Sequence, residues 1–155
     1  MQSPTPPLQR PHIRATVACV IKRGERYLMV EEDRGGPLTL FNQPAGHVEL
    51  GEGPIAAVKR EVAEETAWVV SLDGYLGLYV FELNGLTFHS HGFIATPARF
   101  LDTPLDDDIQ AAHWLTLDEI RALDATGRMR SPLVVPRIDD ARAGRVFSLD
   151  VIHER

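Results

Sequence analysis

The stretch KREVAEET, Lys59 to Thr66, places three carboxylates, Glu61, Glu64 and Glu65, within little more than one helical turn. Residues three and four apart are neighbours on a helix surface, and like charges there repel by about 0.2–0.5 kcal/mol per pair. The segment is helical all the same by its apolar pattern. Ile55, Val58 and Val62 recur at three- and four-residue spacing, and Pro54 stands in the first turn, where a helix tolerates it. At 100° per residue this stripe points one way, while the three acids fan over a separate flank. A helix over 54–66 can therefore dock on a sheet and leave its carboxylates at the edge. An acidic helix flank is solvated surface in most proteins, so the residues around it have to decide what it is for.

Those residues follow a fixed spacing. Gly46 is followed by five residues and Glu52, then by seven residues and Arg60-Glu61, then by Val62, and finally by Glu64-Glu65. Six identities in that register arise by chance in a chain of this length about once in 10⁵, at average residue usage.

The rest of the chain reads as alternating strands and turns with few helices. IRATVACVIKR (13–23) and ERYLMVEE (25–32) are strand candidates joined at Gly24, and DRGGPL is a loop. A short extended piece around LFNQPAGHVE leads into a turn at LGEG. Two long strand candidates, AWVVSLDGYLGLYVFEL and LTFHSHGFIATPARF, meet at Asn84-Gly85, a hairpin signal. TPLDDDIQ is an acidic loop and AAHWLT a short strand. Thr116 with Glu119 has capping-box spacing ahead of a second helix. Ser131 and Pro132 open a third helical segment that stops at Gly144, with Pro136 leaving its start open. The absence of regular βαβ alternation predicts an α+β domain, a mixed sheet flanked by helices, over 13–155. Residues 1–12, with four prolines, read as a flexible leader.

Several function classes drop out. No apolar run approaches the ~20 residues of a membrane span. The net charge is −6 and no basic run exceeds two residues, so neither nucleic acid nor a membrane surface is the expected partner. Cys19 is the only cysteine and sits in a strand candidate, so no intrachain disulfide can form and a cytoplasmic setting is expected.

The spacing from Gly46 to Trp68, GHVELGEGPIAAVKREVAEETAW, resembles the Nudix box, G-x5-E-x7-R-E-U-x-E-E-x-G-U with U aliphatic. Two late positions depart: Ala67 replaces the glycine and Trp68 the aliphatic residue. Alanine at the helix end either costs roughly 1 kcal/mol in a left-handed conformation or lets the helix run on. Neither departure touches a carboxylate. The flanking pieces ATVACVI, LFNQPAGHVE, RSPLVVPRI and GRVFSLDVI are similar to the NudJ-type phosphatases within that superfamily.

The resemblance implies an α/β/α sandwich and a hydrolase that uses Mg²⁺ or Mn²⁺ to open a phosphoanhydride. Hard divalent cations choose oxygen ligands, and such ions reverse the local sign so that an acidic protein can hold a polyanion. By the family pattern Glu61, Glu64 and Glu65 are metal ligands, Gly46 adds its backbone carbonyl, and Arg60 orients a glutamate. Glu52 is a fourth acid beside them. The catalytic base stays open among Glu61, Glu64 and an acid outside the box, with Asp108 of Asp106-Asp107-Asp108 as the candidate. Phe41, Gln43 and Arg34 are substrate-contact candidates: a stacking ring, an amide and a phosphate-reaching cation. Phe41 packing under the sheet is an equal reading. His89 and His91 share a strand face that could line the cleft, and Trp114 is a core candidate. NudJ-type membership implies orthophosphate release from nucleoside tri- and diphosphates and from hydroxymethylpyrimidine pyrophosphate. The runner-up is a nucleoside-triphosphate or nucleotide-sugar pyrophosphohydrolase. A binding module without catalysis ranks lower, because the box glutamates are all present. The expected partner is a small phosphorylated molecule, met by a monomer or homodimer.

Overall fold

The structure, a computed structural model, describes residues Met1–Arg155. Residues 1–12 carry no regular secondary structure and are exposed. Strand β1 (Ile13–Arg23) turns at Gly24, which has a left-handed φ of 58°, into β2 (Arg26–Glu32). The extended piece divides into β3 (Leu40–Asn42) and β4 (Ala45–His47), ahead of α1 (Pro54–Thr66). Strands β5 (Trp68–Leu83) and β6 (Leu86–Phe100) pair along almost their whole length. They meet at Asn84 and Gly85, whose φ values of 51° and 76° suit a two-residue hairpin turn. Strand β7 (Ile109–Thr116), α2 (Leu117–Ala125) and α3 (Val134–Arg142) complete the fold. Thr116 and Glu119 form the expected reciprocal capping box. Helix α3 begins at Val134, which puts Pro136 in the first turn, where its missing N–H is not needed.

The sheet is mixed. Strand β1 runs parallel to β6 and antiparallel to β4, while β2 runs antiparallel to β3 and β7. Strands β1 and β2 pair only beside their turn, at Lys22↔Tyr27 and Arg23↔Arg26. Further on, β1 takes β4 as its neighbour through Thr16, Val17 and Ala18, so the two halves of the sheet part and a gap opens.

Alternation along β1 feeds two cores. Val17, Cys19 and Ile21 pack with Ala57, Val58 and Val62 of α1. On the other face Val20 packs with Ile120 of α2 and with Val134 and Ile138 of α3. The helices therefore cover both faces, an α/β/α sandwich. Val58 and Val62 are fully buried, which is worth about 1.5–3 kcal/mol each. That outweighs the few tenths of a kcal/mol of repulsion per acidic pair. Docking wins, and α1 keeps its carboxylates. Trp114 packs against the first core with the Arg23 guanidinium 4.1 Å from its ring centre.

Both ends of α1 need explanation. Its C-terminus stops at Thr66, and Ala67 adopts the left-handed conformation (φ 61°) with its N–H bonded to Ala63 O. That conformation costs an alanine about 1–2 kcal/mol, partly offset by burial of its methyl group, worth about 0.8 kcal/mol. At the N-terminus Gly53 offers no side-chain cap and the first turn holds no acid. The C-terminal tail supplies one instead: Glu154 Oε1 accepts a hydrogen bond from Ile55 N–H at 2.9 Å. A side chain at Gly53 would collide with that carboxylate. Replacing Glu154 with alanine is expected to lower stability by about 1 kcal/mol, read as a reduced urea midpoint at unchanged slope.

Candidate active site

Glu61, Glu64 and Asp106 each present a carboxylate oxygen within 4.8 Å of the others. Two come from adjacent turns of α1. The third arrives on the acidic loop between β6 and β7, anchored by the hydrogen bond from Asp106 N–H to Glu64 O at 3.1 Å. Glu65 stands beside them on α1, 5% exposed, with one oxygen accepting from Ala45 N–H of β4 at 2.8 Å. Gly46 is the point where β4 meets this group: a Cβ there would strike the Glu61 carboxylate. Glycine at 46 is therefore a demand of space.

The charges do not balance locally. Burial raises the Glu61 pKa despite the ion pair with Arg60, and neighbouring Glu64 and Asp106 add to the rise. Burial also pushes Glu65 up to about 9, helped by Glu61, Glu32 and Asp106. Asp106 is raised by the same combination of burial and neighbouring acids. Three carboxylates whose oxygens lie within 4.8 Å of one another, with buried Glu65 beside them, fit a divalent cation.

Arg60 is the cation that holds the arrangement. Its guanidinium bonds Glu52 through two nitrogens, at 3.1 and 2.6 Å, and reaches His47 O at 3.0 Å. It also bonds Glu61 at 2.9 Å and Glu64 at 3.1 Å. Glu52 is thus spent on Arg60 and on Glu49 N–H and lies outside the carboxylate triad, a correction to its reading as a fourth acid of the seat.

These residues open onto a cleft of about 420 Å³ in the gap between the two halves of the sheet. Gly46, Glu61, Glu65, Asp106 and Asp108 line it, as does Arg34. Asp108 lies at 3.8 Å from the Arg34 guanidinium, so the loop brings Asp106, two residues earlier, to the triad. Gln43 and Phe41 are not cleft walls. Gln43 is 1% exposed and bonds Val134 O and Arg137. Phe41 packs in the second core, beside the guanidinium of Arg128 and the ring of His113. His89 and His91 do not line the cleft either: their side of β6 faces the α1 core, and His91 Nδ1 lies 2.8 Å from Tyr75 OH.

Three cleft residues had no signal in the sequence. Arg130 lies 3.3 Å from the buried carboxylate of Glu32, which Arg34 also contacts at 3.2 Å. Arg137 of α3 lines the cleft while 3% exposed. Nothing but the fold brings 32, 34, 130 and 137 together.

Comparison with known proteins fits this geometry. The sequence model of the NUDIX domain matches residues 11–137. The chain belongs to the Nudix family. Phosphatase NudJ of Escherichia coli K12 is 34% identical over 145 residues, covering 92% of this chain and 91% of the relative. Phosphatase NudJ of Shigella flexneri matches equally. Among solved structures, a NUDIX hydrolase from Nitrosomonas europaea superposes with a TM-score of 0.87 at 39% identity, covering 94% of this chain and 98% of that one. A UDP-X diphosphatase shares the fold alone, with a TM-score of 0.67 at 16% identity over 92% of this chain and 69% of that one. Membership makes the chain a Nudix hydrolase acting on phosphoanhydride bonds. No helix is long and apolar enough to cross a membrane.

The sign of the pH response follows from Glu65. Its folded pKa of about 9 lies above the ordinary 4.5. Between those values the folded state keeps a proton that the unfolded chain releases, so metal-free stability falls as pH rises. In EDTA the melting temperature is expected to drop steadily from pH 5 to 9. Glu65→Gln, which keeps an oxygen for Ala45 N–H, should flatten that slope in a calorimetric series. An unchanged slope would mean that Glu65 is not the titrating group.

Proposed function

We propose that this Nudix hydrolase is a Mg²⁺- or Mn²⁺-dependent phosphatase of the NudJ type. It releases orthophosphate from nucleoside tri- and diphosphates and from hydroxymethylpyrimidine pyrophosphate. The observation that carries the reading is the triad Glu61, Glu64 and Asp106 at the edge of a cleft that also holds unbalanced acids and three arginines. Likeness to phosphatase NudJ along nearly the full length of both chains supports the choice of bond.

Glu61, Glu64 and Asp106 would hold the cation, with Glu65 and the Gly46 carbonyl beside them. A divalent cation, when bound, offsets the diphosphate charge and acidifies the water that attacks phosphorus. The protein's own residues do the rest. Arg60 keeps Glu61 and Glu64 aimed, through one guanidinium anchored on Glu52 and on a backbone carbonyl. Arg34 and Arg130, on the opposite lip beside Glu32, grip the phosphate oxygens; a guanidinium fork suits that geometry. The proton of the attacking water passes to a carboxylate at the acidic end. Glu65 fits that role once its own proton has left under the charge of a bound cation: one oxygen is fixed by Ala45 N–H, and the other is then free to accept.

Product identity tests the reading. With Mg²⁺, ³¹P NMR of ATP, ADP and hydroxymethylpyrimidine pyrophosphate is expected to show orthophosphate, and EDTA should abolish it. Glu61→Gln should lower turnover at least ~100-fold while the fold survives, since loss of outer-sphere partners of metal ligands alone costs 10–100-fold. Pyrophosphate from ATP would instead assign a pyrophosphohydrolase.

A further inference from the structure

The two ends of the cleft differ in chemistry. The end occupied by the metal-binding acids is densely charged, and its cations Arg34 and Arg130 sit against carboxylates. The other end is formed by α3 and the outer part of the β5–β6 hairpin. There Phe81 and Phe88 stack nearly parallel, with ring centres 5.0 Å apart and planes 9° from each other, and both line the cleft. Phe88 lies two residues from Ser90 on β6 and so on the same face, and Ser90 Oγ accepts a hydrogen bond from Arg137 at 2.7 Å.

Arg137 is unlike the other arginines of the cleft. It is 3% exposed and bonds no carboxylate. Its hydrogen bonds go to Ser90 and, at a long 3.3 Å, to Gln43 Oε1, and its guanidinium lies over the Tyr79 ring at 5.3 Å. A guanidinium carries five N–H donors, and here two are bonded while the buried Nε has no partner. Asn42 Oδ1, on another cleft-lining residue, is likewise buried without a partner. Buried polar atoms without partners are destabilising, and burial has already pulled the Arg137 pKa down to about 10. A cation kept under-bonded next to a flat aromatic surface is suited to an uncharged acceptor on a planar ligand.

We infer that the Phe81, Phe88 and Arg137 end of the cleft is the subsite for the organic group of the substrate, a planar nitrogen heterocycle. Its ring packs on the Phe81–Phe88 face and its acceptor atoms take hydrogen bonds from the Arg137 guanidinium. Asn42 Oδ1 is available to an amino group on the same ligand. Ser90, Gln43 and Tyr79 hold Arg137 in place. This assignment rests on the reading that the acidic end takes the phosphates, and it makes Arg137 a specificity residue for the organic group.

Equilibrium binding separates the two claims, because it needs no turnover. The probes are CMP and ribose 5-phosphate, titrated with Mg²⁺ present into the full chain and followed by ¹H–¹⁵N NMR. CMP is expected to bind at least ~10-fold more tightly than ribose 5-phosphate and to shift the Arg137 side-chain resonances. Arg137→Gln should erase the preference and leave ribose 5-phosphate binding unchanged; Phe88→Leu should reduce it. If Arg137→Gln impairs folding, Arg137→Lys and Phe88→Leu decide, with Lys expected to fail because it lacks the fork. Equal weakening of both probes would make Arg137 a phosphate ligand, and an undiminished preference would place the heterocycle elsewhere; either result overturns the assignment. A protein that shows the preference but hydrolyses no diphosphate would contradict the proposed function and keep the subsite.

Discussion

Helix α1 carries more negative charge on one flank than a helix tolerates without compensation, and Arg60 is the single cation placed to manage it. Its guanidinium spans from Glu52 in the loop before the helix to Glu61 and Glu64 on the helix and to the carbonyl of His47 in β4. The loop, the helix and the short strand are thereby held in one register. Arg60 compensates only part of the charge. Glu65 and Asp106 lie out of its hydrogen-bonding reach and are pushed toward the protonated state by burial and by the acids around each. A divalent cation would relieve this imbalance, and the apolar underside of the same helix supplies the stability that lets it persist without one.

The cleft depends on a separate constraint, the early parting of β1 from β2. Because β1 exchanges β2 for β4 after two paired positions, the sheet opens where α1 presents its acids. The two lips then draw on different elements. One carries carboxylates from α1 and the β6–β7 loop. The other carries Glu32 with Arg34 and Arg130, and α3 adds Arg137 from across the second core. The proposed substrate, a polyanion with an organic tail, has opposite requirements at its two ends, and these two kinds of lining would suit them.

Much of this was legible in the sequence, for local reasons. The limits of α1 follow from Pro54 and from the apolar stripe, and the β5–β6 turn follows from Asn84-Gly85. The capping box of α2 follows from Thr116 and Glu119. Each signal acts within a few residues, where spacing and geometry correspond directly. The box glutamates were legible because their spacing is fixed by helical period. What escaped depends on distant segments meeting. Which of three consecutive aspartates reaches the triad is decided by the backbone bond from Asp106 to Glu64, and a tract of identical residues carries no such information. The cap of α1 comes from Glu154, ninety-nine residues beyond the amide it serves. Phe41 and Gln43 lie beside the box in sequence yet turn into the protein interior, because β3 pairs with β2 and faces α3. Glu52 fits the box pattern, but its partner is Arg60.

Glu61, Glu64 and Asp106 together are the proposed cation seat, with the crowding on α1 as its cost when empty. Electron paramagnetic resonance of free Mn²⁺, titrated into the wild-type protein and into Asp106→Asn and Asp108→Asn variants without substrate, tests it most directly. Asp106→Asn is expected to weaken Mn²⁺ binding about tenfold or more, while Asp108→Asn binds like the wild type. Normal binding by Asp106→Asn together with loss in Asp108→Asn would contradict it.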